Sequence, residues 1–95
     1  MYPAINRNNM SPKNLMDFKL GLDHFRNQLV QDISDSNQQI CLQFDGHFKI
    51  IQMTIDKKLS TEEIERLLPK LFCQAIDSIA EKIRLKLEDL QAAHN

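Results

Sequence analysis

The side chains able to do chemistry are few and lie far apart. His24, His47 and His94 are scattered along the chain, as are Cys41 and Cys73. Protein zinc sites draw their ligands in closely spaced pairs, and none of these residues is so paired, so no metal is expected. A nucleophilic thiol needs a cationic or helix N-terminal neighbour that favours the thiolate. Neither cysteine has one nearby in sequence, and Cys73, between Phe72 and Ala75 on an apolar face, reads as core packing. His47 adjoins a turn, where a solvated imidazole is the simpler reading than a catalytic one. A phosphate-cradling loop needs several glycines, and the chain has only Gly21 and Gly46. No catalytic residue and no cofactor site is expected, and the chain is read as a non-enzyme.

The bulk properties narrow the remaining classes. A chain of 95 residues is one domain by size. Its 42% hydrophobic and 26% charged residues place it among globular chains rather than disordered ones. Twelve Lys and Arg against thirteen Asp and Glu give a formal charge of −1, so no global basic field favours nucleic acid. No apolar run approaches the ~20 residues of a membrane span. Two distant cysteines without a secretory signal fit reduced thiols, and a cytoplasmic location is expected.

The most informative stretch is "FDGHFKIIQMTID", residues 44–56. Asp45-Gly46 between apolar runs predicts a two-residue hairpin turn with Gly46 at positive φ. That register pairs Phe44 with His47, Leu42 with Lys49 and Ile40 with Ile51. Ile40, Leu42, Phe44, Ile51, Met53 and Ile55 then share one apolar face, which the chain's own helices cover. The opposite face carries Cys41, Phe48 and Ile50 beside Gln43 and Gln52. A half-apolar second face predicts an interface through Phe48 and Ile50, most simply in a two-fold homodimer.

Helices flank the hairpin. Residues 1–10 read as a flexible arm, 11–92 as the single domain and 93–95 as a frayed tail. Ser11-Pro12 reads as a cap and first helical residue, with Met10 and Leu15 as a staple. Leu15, Phe18, Leu22, Phe25 and Leu29 form a narrow seam, used within the chain or between subunits. This helix is expected to fade in "SDSN", residues 34–37. In "LSTEEI", Ser60 and Glu63 form a capping box stapled by Leu59 and Ile64. Pro69 predicts a short helix over about 60–67 and a kink or restart, before a long segment carrying Phe72, Ile76, Ala80, Ile83, Leu87 and Leu90. The fold class is therefore α+β: long N-terminal helix, antiparallel hairpin, kinked or broken C-terminal helix, assembled as a dimer.

From Ile40 to Lys82 the chain resembles the YbaB/EbfC family of bacterial nucleoid-associated proteins. The strand ending Ile51, Met53, Ile55, Asp56 matches the family's alternating strand end. Leu68, Leu71, Ala75 and, one residue late, Ala80 match its following helix, and the amphipathic helix ahead of the strands also fits. The family carries a further strand and a glycine-rich segment before this pair. "QDISDSNQQ" has no glycine and is short for one, and Pro69 replaces a helix-favouring acidic residue, so a shortened, divergent member is expected.

The resemblance implies a homodimer whose helices project like the arms of tweezers. It also implies largely sequence-nonspecific binding of duplex DNA in the cytoplasmic nucleoid, with effects on gene expression. Within that reading the DNA-binding candidates are Lys82 and Lys86, four residues apart on one helix face, Arg84 beside them, and Lys19 with Arg26 on the first helix. The alternative is a dimeric protein-interaction module without a nucleic-acid role, in which these cations solvate the helices and form surface ion pairs.

Overall fold

The computed structural model describes residues 12–94. Its elements run α1 (Pro12–Gln28), β1 (Val30–Ser34), β2 (Ile40–Asp45), β3 (Ile50–Ile55) and α2 (Thr61–His94), and the strands form one antiparallel sheet in the order β1-β2-β3. The Ser11 cap, the Met10 staple and the arm over 1–10 lie outside the described residues.

Two expectations about the region before the hairpin are corrected. The first helix ends at Gln28, not in 34–37, and the stretch that looks short for a strand forms one. Val30 and Ile33 favour extended backbone, while Asp32, Ser34, Asp35, Ser36 and Asn37 compete with helical hydrogen bonds. Asp35 then closes the loop into β2. Its carboxylate accepts the N–H groups of Ile40 at 2.8 Å, Gln39 at 2.6 Å and Asn37 at 3.4 Å. These donors, led by the Ile40 N–H, hold the Asp35 carboxyl below the usual aspartate range. Because the folded value is lowered, Asp35 stabilises the protein at neutral pH, and that contribution is lost as pH falls through the ordinary aspartate range toward the depressed one. Thermal melts at successively lower pH should therefore show a fall in stability that Asp35→Asn flattens. An unchanged pH profile in that variant would remove Asp35 from this role.

The β2–β3 register lies four residues from the expected one. Ile40 pairs with Ile55, Leu42 with Met53 and Gln43 with Gln52. The turn is longer because Asp45 organises it. Its carboxylate accepts the N–H groups of His47 and Lys49, its own N–H donates to Lys49 O, and its carbonyl accepts the Phe48 N–H. Gly46 does not take positive φ. Phe48 does, at 65°. A shift of four keeps every strand residue's face, so Ile40, Leu42, Phe44, Met53 and Ile55 still point one way. A bulge places Ile50 opposite Phe44 and skips Ile51, which removes Ile50 from the outer face where it was expected.

Beyond the strands, the expected capping box is present. Glu63 N–H donates to Ser60 Oγ at 3.1 Å, and Ser60 N–H donates back to Glu63 Oε1 at 3.2 Å. The expected break at Pro69 is absent, and α2 runs unbroken from Thr61 to His94. Pro69 leaves the Glu65 carbonyl without its helical partner, but both residues are exposed, so water can take that bond.

The first half of α2 lies on β1 and β2, burying Ile40, Leu42 and Phe44 against Leu59, Leu71, Ala75 and Ile79. Phe72 meets Phe44 edge-on, with ring centroids 5.7 Å apart. At ~1.5 Å per residue the 34-residue α2 is about 51 Å long, while six strand residues span about 20 Å. The rest of α2 therefore projects past the sheet, and the molecule measures 56 × 27 × 16 Å. Along that projection α1 packs antiparallel on it. A Cβ on Gly21 would sit 3.0 Å from Leu90 Cδ2, and Lys86 lies 5.7 Å from the Phe25 ring centroid. The seam thus serves packing within the chain at Phe18, Leu22, Phe25 and Leu29, which are half-buried, whereas Leu15 is exposed. The result is a two-layer body with a two-helix arm.

Candidate nucleic-acid interface and assembly surface

The five candidate cations fall into different environments. Lys19 is exposed on α1 and makes no ion pair among the described residues. Arg26 is half-buried at the foot of the same helix. Its Nε–H donates to Gly46 O at 2.9 Å, and its guanidinium lies 6.0 Å from the Phe48 ring centroid. It fastens the hairpin turn to α1, although its remaining N–H groups are uncommitted to any described partner.

On α2, Lys82 is exposed and donates to Gln31 Oε1 of β1 at 2.6 Å. Lys86 is half-buried over Phe25 and lines a cavity with Gly21, His24 and Leu29. These two lysines do share a helix face, but it is the face turned toward β1 and α1. Lys82 is exposed there, whereas Lys86 is half-buried. Arg84 is exposed between two carboxylates, Glu81 at 2.5 Å and Glu88. Hydrogen bonding to Glu81 raises the Arg84 pKa and lowers that of Glu81. Its charge is locally compensated, though exposed ion pairs of this kind add little stability. Such neutralisation follows from i,i+3 and i,i+4 spacing and was open to sequence reasoning.

At the hairpin tip, Lys49 escaped that reasoning because the expected turn placed it in a strand, and His47, read as a solvated turn imidazole, has a side-chain partner. Lys49 is exposed beside Phe48, and His47 Nε2 meets Asn27 Oδ1 of α1 at 2.8 Å. Phe48 itself stands in the turn, 40% exposed, not on a strand face. A bulky residue in the left-handed region is a steric outlier, on the order of 1 kcal/mol or more.

The outer sheet face is accordingly polar, which corrects the expected half-apolar surface. Asp32, Ser34, Cys41, Gln43, Gln52 and Thr54 line a shallow depression of about 600 Å³. Gln43 Nε2 donates to Asp32 Oδ1 at 3.0 Å, and Cys41 Sγ–H donates to Gln38 O at 3.6 Å. No cluster among the described residues could hold a metal ion. Among the described residues no helix is long and apolar enough to cross a membrane.

An uncovered apolar surface lies on the inner side of the sheet, and Leu15, Met16, Leu20 and Leu85 are exposed on the helices as well. Among the described residues no helix approaches β3, whose Ile50, Ile51 and Met53 are 40, 52 and 45% exposed. The expectation that the chain's own helices cover Ile51 and Met53 is corrected. One flank of α2 is turned to the β3 side without reaching that strand. Going round that helix, Lys82 reaches β1, Leu71, Ala75 and Ile79 sit over the core, and Phe72 meets Phe44 of β2. The next position round, on the β3 side, is Ile76, exposed with Cys73 and Ala80. Ile50, Ile51 and Met53 thus form an exposed apolar strip on an edge strand, with exposed Ile76 on the neighbouring flank of α2.

No protein-family profile matches the chain, and no curated protein matches it in sequence. Among solved structures it is similar to the uncharacterized protein HP0035 from Helicobacter pylori. The TM-score is 0.66 at 12% identity, over 76% of this chain and 88% of that one. That likeness is one of fold.

Proposed function

We propose that the protein is a homodimer that binds double-stranded DNA largely without sequence preference, as a shortened relative of the YbaB/EbfC proteins associated with the bacterial nucleoid and gene expression. The observation that carries the reading is the combination of a bare inner face on β3 with a two-helix arm projecting from the same body. An edge strand with no charge, proline or cover is an aggregation hazard unless a partner takes it, and a second copy offers the same strip in return. Dimerisation through Ile51, Met53 and Ile50 would leave two arms free, the arrangement the resemblance implies. Strand β1 adds support, since it stands where that family has its further strand.

DNA contact then falls to local cations doubled by the two-fold: Lys19 and Lys82, the unused donors of Arg26, and Lys49 at the hairpin. Contacts of this type neutralise phosphates and carry no base information. Arg84, compensated by Glu81 and Glu88, and Lys86, packed on Phe25, contribute less. The same compensation favours a second reading, a dimeric protein-interaction module with no nucleic-acid role. Retention of a random-sequence duplex in a gel shift at low ionic strength separates the two, since the module reading gives none.

A further inference from the structure

We propose that the tip of the β2–β3 hairpin is a DNA-contacting wedge, in which the Phe48 ring enters the minor groove and presses between two base pairs while Lys49 and Arg26 meet the flanking phosphates. The proposal rests on the DNA-binding reading above and adds a contact to it.

Four observations converge on the tip. First, Phe48 occupies a left-handed backbone position at φ 65°, where glycine or asparagine fits without strain. A large ring kept at such a position needs a reason outside local backbone preference, and strained residues gather at functional sites. Second, the core does not supply that reason. Phe44 is buried and Phe18, Phe25 and Phe72 are half-buried, whereas Phe48 is 40% exposed and packs on a cation. Third, that cation is held ready. Arg26 Nε–H is taken by Gly46 O, which fixes the guanidinium beside the ring and leaves its terminal N–H groups for an anion. Lys49 follows Phe48 directly and is exposed, and His47 is anchored to Asn27 of α1. The one carboxylate of the turn, Asp45, is turned inward onto the N–H groups of His47 and Lys49. Fourth, Lys19 and Arg26 are seven residues apart on α1, nearly two full turns, so they lie on one side of the helix with the tip at its foot. Asp23 shares that side, four residues from Lys19 and three from Arg26, so the phosphate contacts centre on Arg26 and Lys49 at the tip itself.

Apolar side chains inserted at base steps partly unstack them and kink the duplex, most cheaply at pyrimidine–purine steps. The test uses the full-length protein and duplexes carrying 2-aminopurine at a central TA step, with anisotropy for affinity and 2-aminopurine fluorescence for unstacking. The unmodified protein should bind at low salt and raise the 2-aminopurine signal. Phe48→Gly should melt no lower than the parent, bind at least about fivefold more weakly, which is the lower end of what one aromatic–base contact contributes, and lose the signal. Phe48→Asn, also suited to this backbone, should behave alike. Binding by the parent without any 2-aminopurine change overturns the wedge and leaves the DNA reading standing. The wedge is equally overturned if both variants lose stability yet keep affinity and signal, because the ring would then serve only the Arg26 contact. Absence of binding by the parent at low salt overturns both.

Discussion

Gly46→Ala lowers the stability of this fold by about 3 kcal/mol or more, a large loss for a single methyl group. A Cβ at residue 46 would stand 2.2 Å from the Arg26 carbonyl oxygen and 2.7 Å from its Cα. Both obstacles are backbone at the last turn of α1, so no rotamer change relieves them. The hairpin must lift off the helix, which also breaks the Arg26 Nε–H bond to Gly46 O. The requirement is for close approach rather than positive φ, and this separates two explanations experimentally. If backbone conformation were the constraint, asparagine would be tolerated at residue 46. With a steric constraint, Gly46→Asn fails as badly as Gly46→Ala. Denaturant melts of the two variants measure this, and a wild-type midpoint for either would show that α1 and the hairpin are less closely docked.

The second large effect concerns assembly. Met53→Lys should raise the dimer dissociation constant by more than a hundredfold, about 3 kcal/mol, because a charge would be buried without a partner. In the isolated chain Met53 is 45% exposed, so a lysine there can keep its ammonium in water and the fold should survive. Sedimentation equilibrium at micromolar concentration should return twice the chain mass for the parent and the chain mass for the variant, with matching circular dichroism. A monomeric parent would remove the assembly argument. A variant that stays dimeric would place the interface away from β3.

Much of this architecture was legible in the residues, and the misreadings have physical causes. The capping box at Ser60 and Glu63 was readable because its partners are three residues apart. The inner face of Ile40, Leu42 and Phe44 was readable because alternation survives any even register shift. The register itself was not, since Asp45 builds a longer turn with its side chain and Asp45-Gly46 mimics a shorter one. Strand β1 was hidden because only Ile33 on it packs against the core, leaving little periodicity to see. Pro69 argued for a break that solvent exposure makes unnecessary. For the candidate site, helical spacing identified Lys82 and Lys86 as neighbours, but only the position of α1 and β1 shows that their shared face is partly occupied. The uncovered strip at Ile51 and Met53 could not be found by pattern, because it depends on how far across the sheet α2 reaches.

The central claim is tested most directly by the salt dependence of duplex binding. Anisotropy titrations of a labelled random-sequence duplex at several monovalent salt concentrations give the slope of log affinity against log salt. Each phosphate contact contributes about −0.9 to that slope. With Lys19, Arg26, Lys49 and Lys82 available in each subunit and not all engaged at once, a dimer should show a slope of roughly −3 to −6. Binding should be modest, little changed between unrelated sequences, and markedly weaker near physiological salt. No binding at the lowest salt, or a slope near zero, would contradict the DNA-binding account and favour the protein-interaction module.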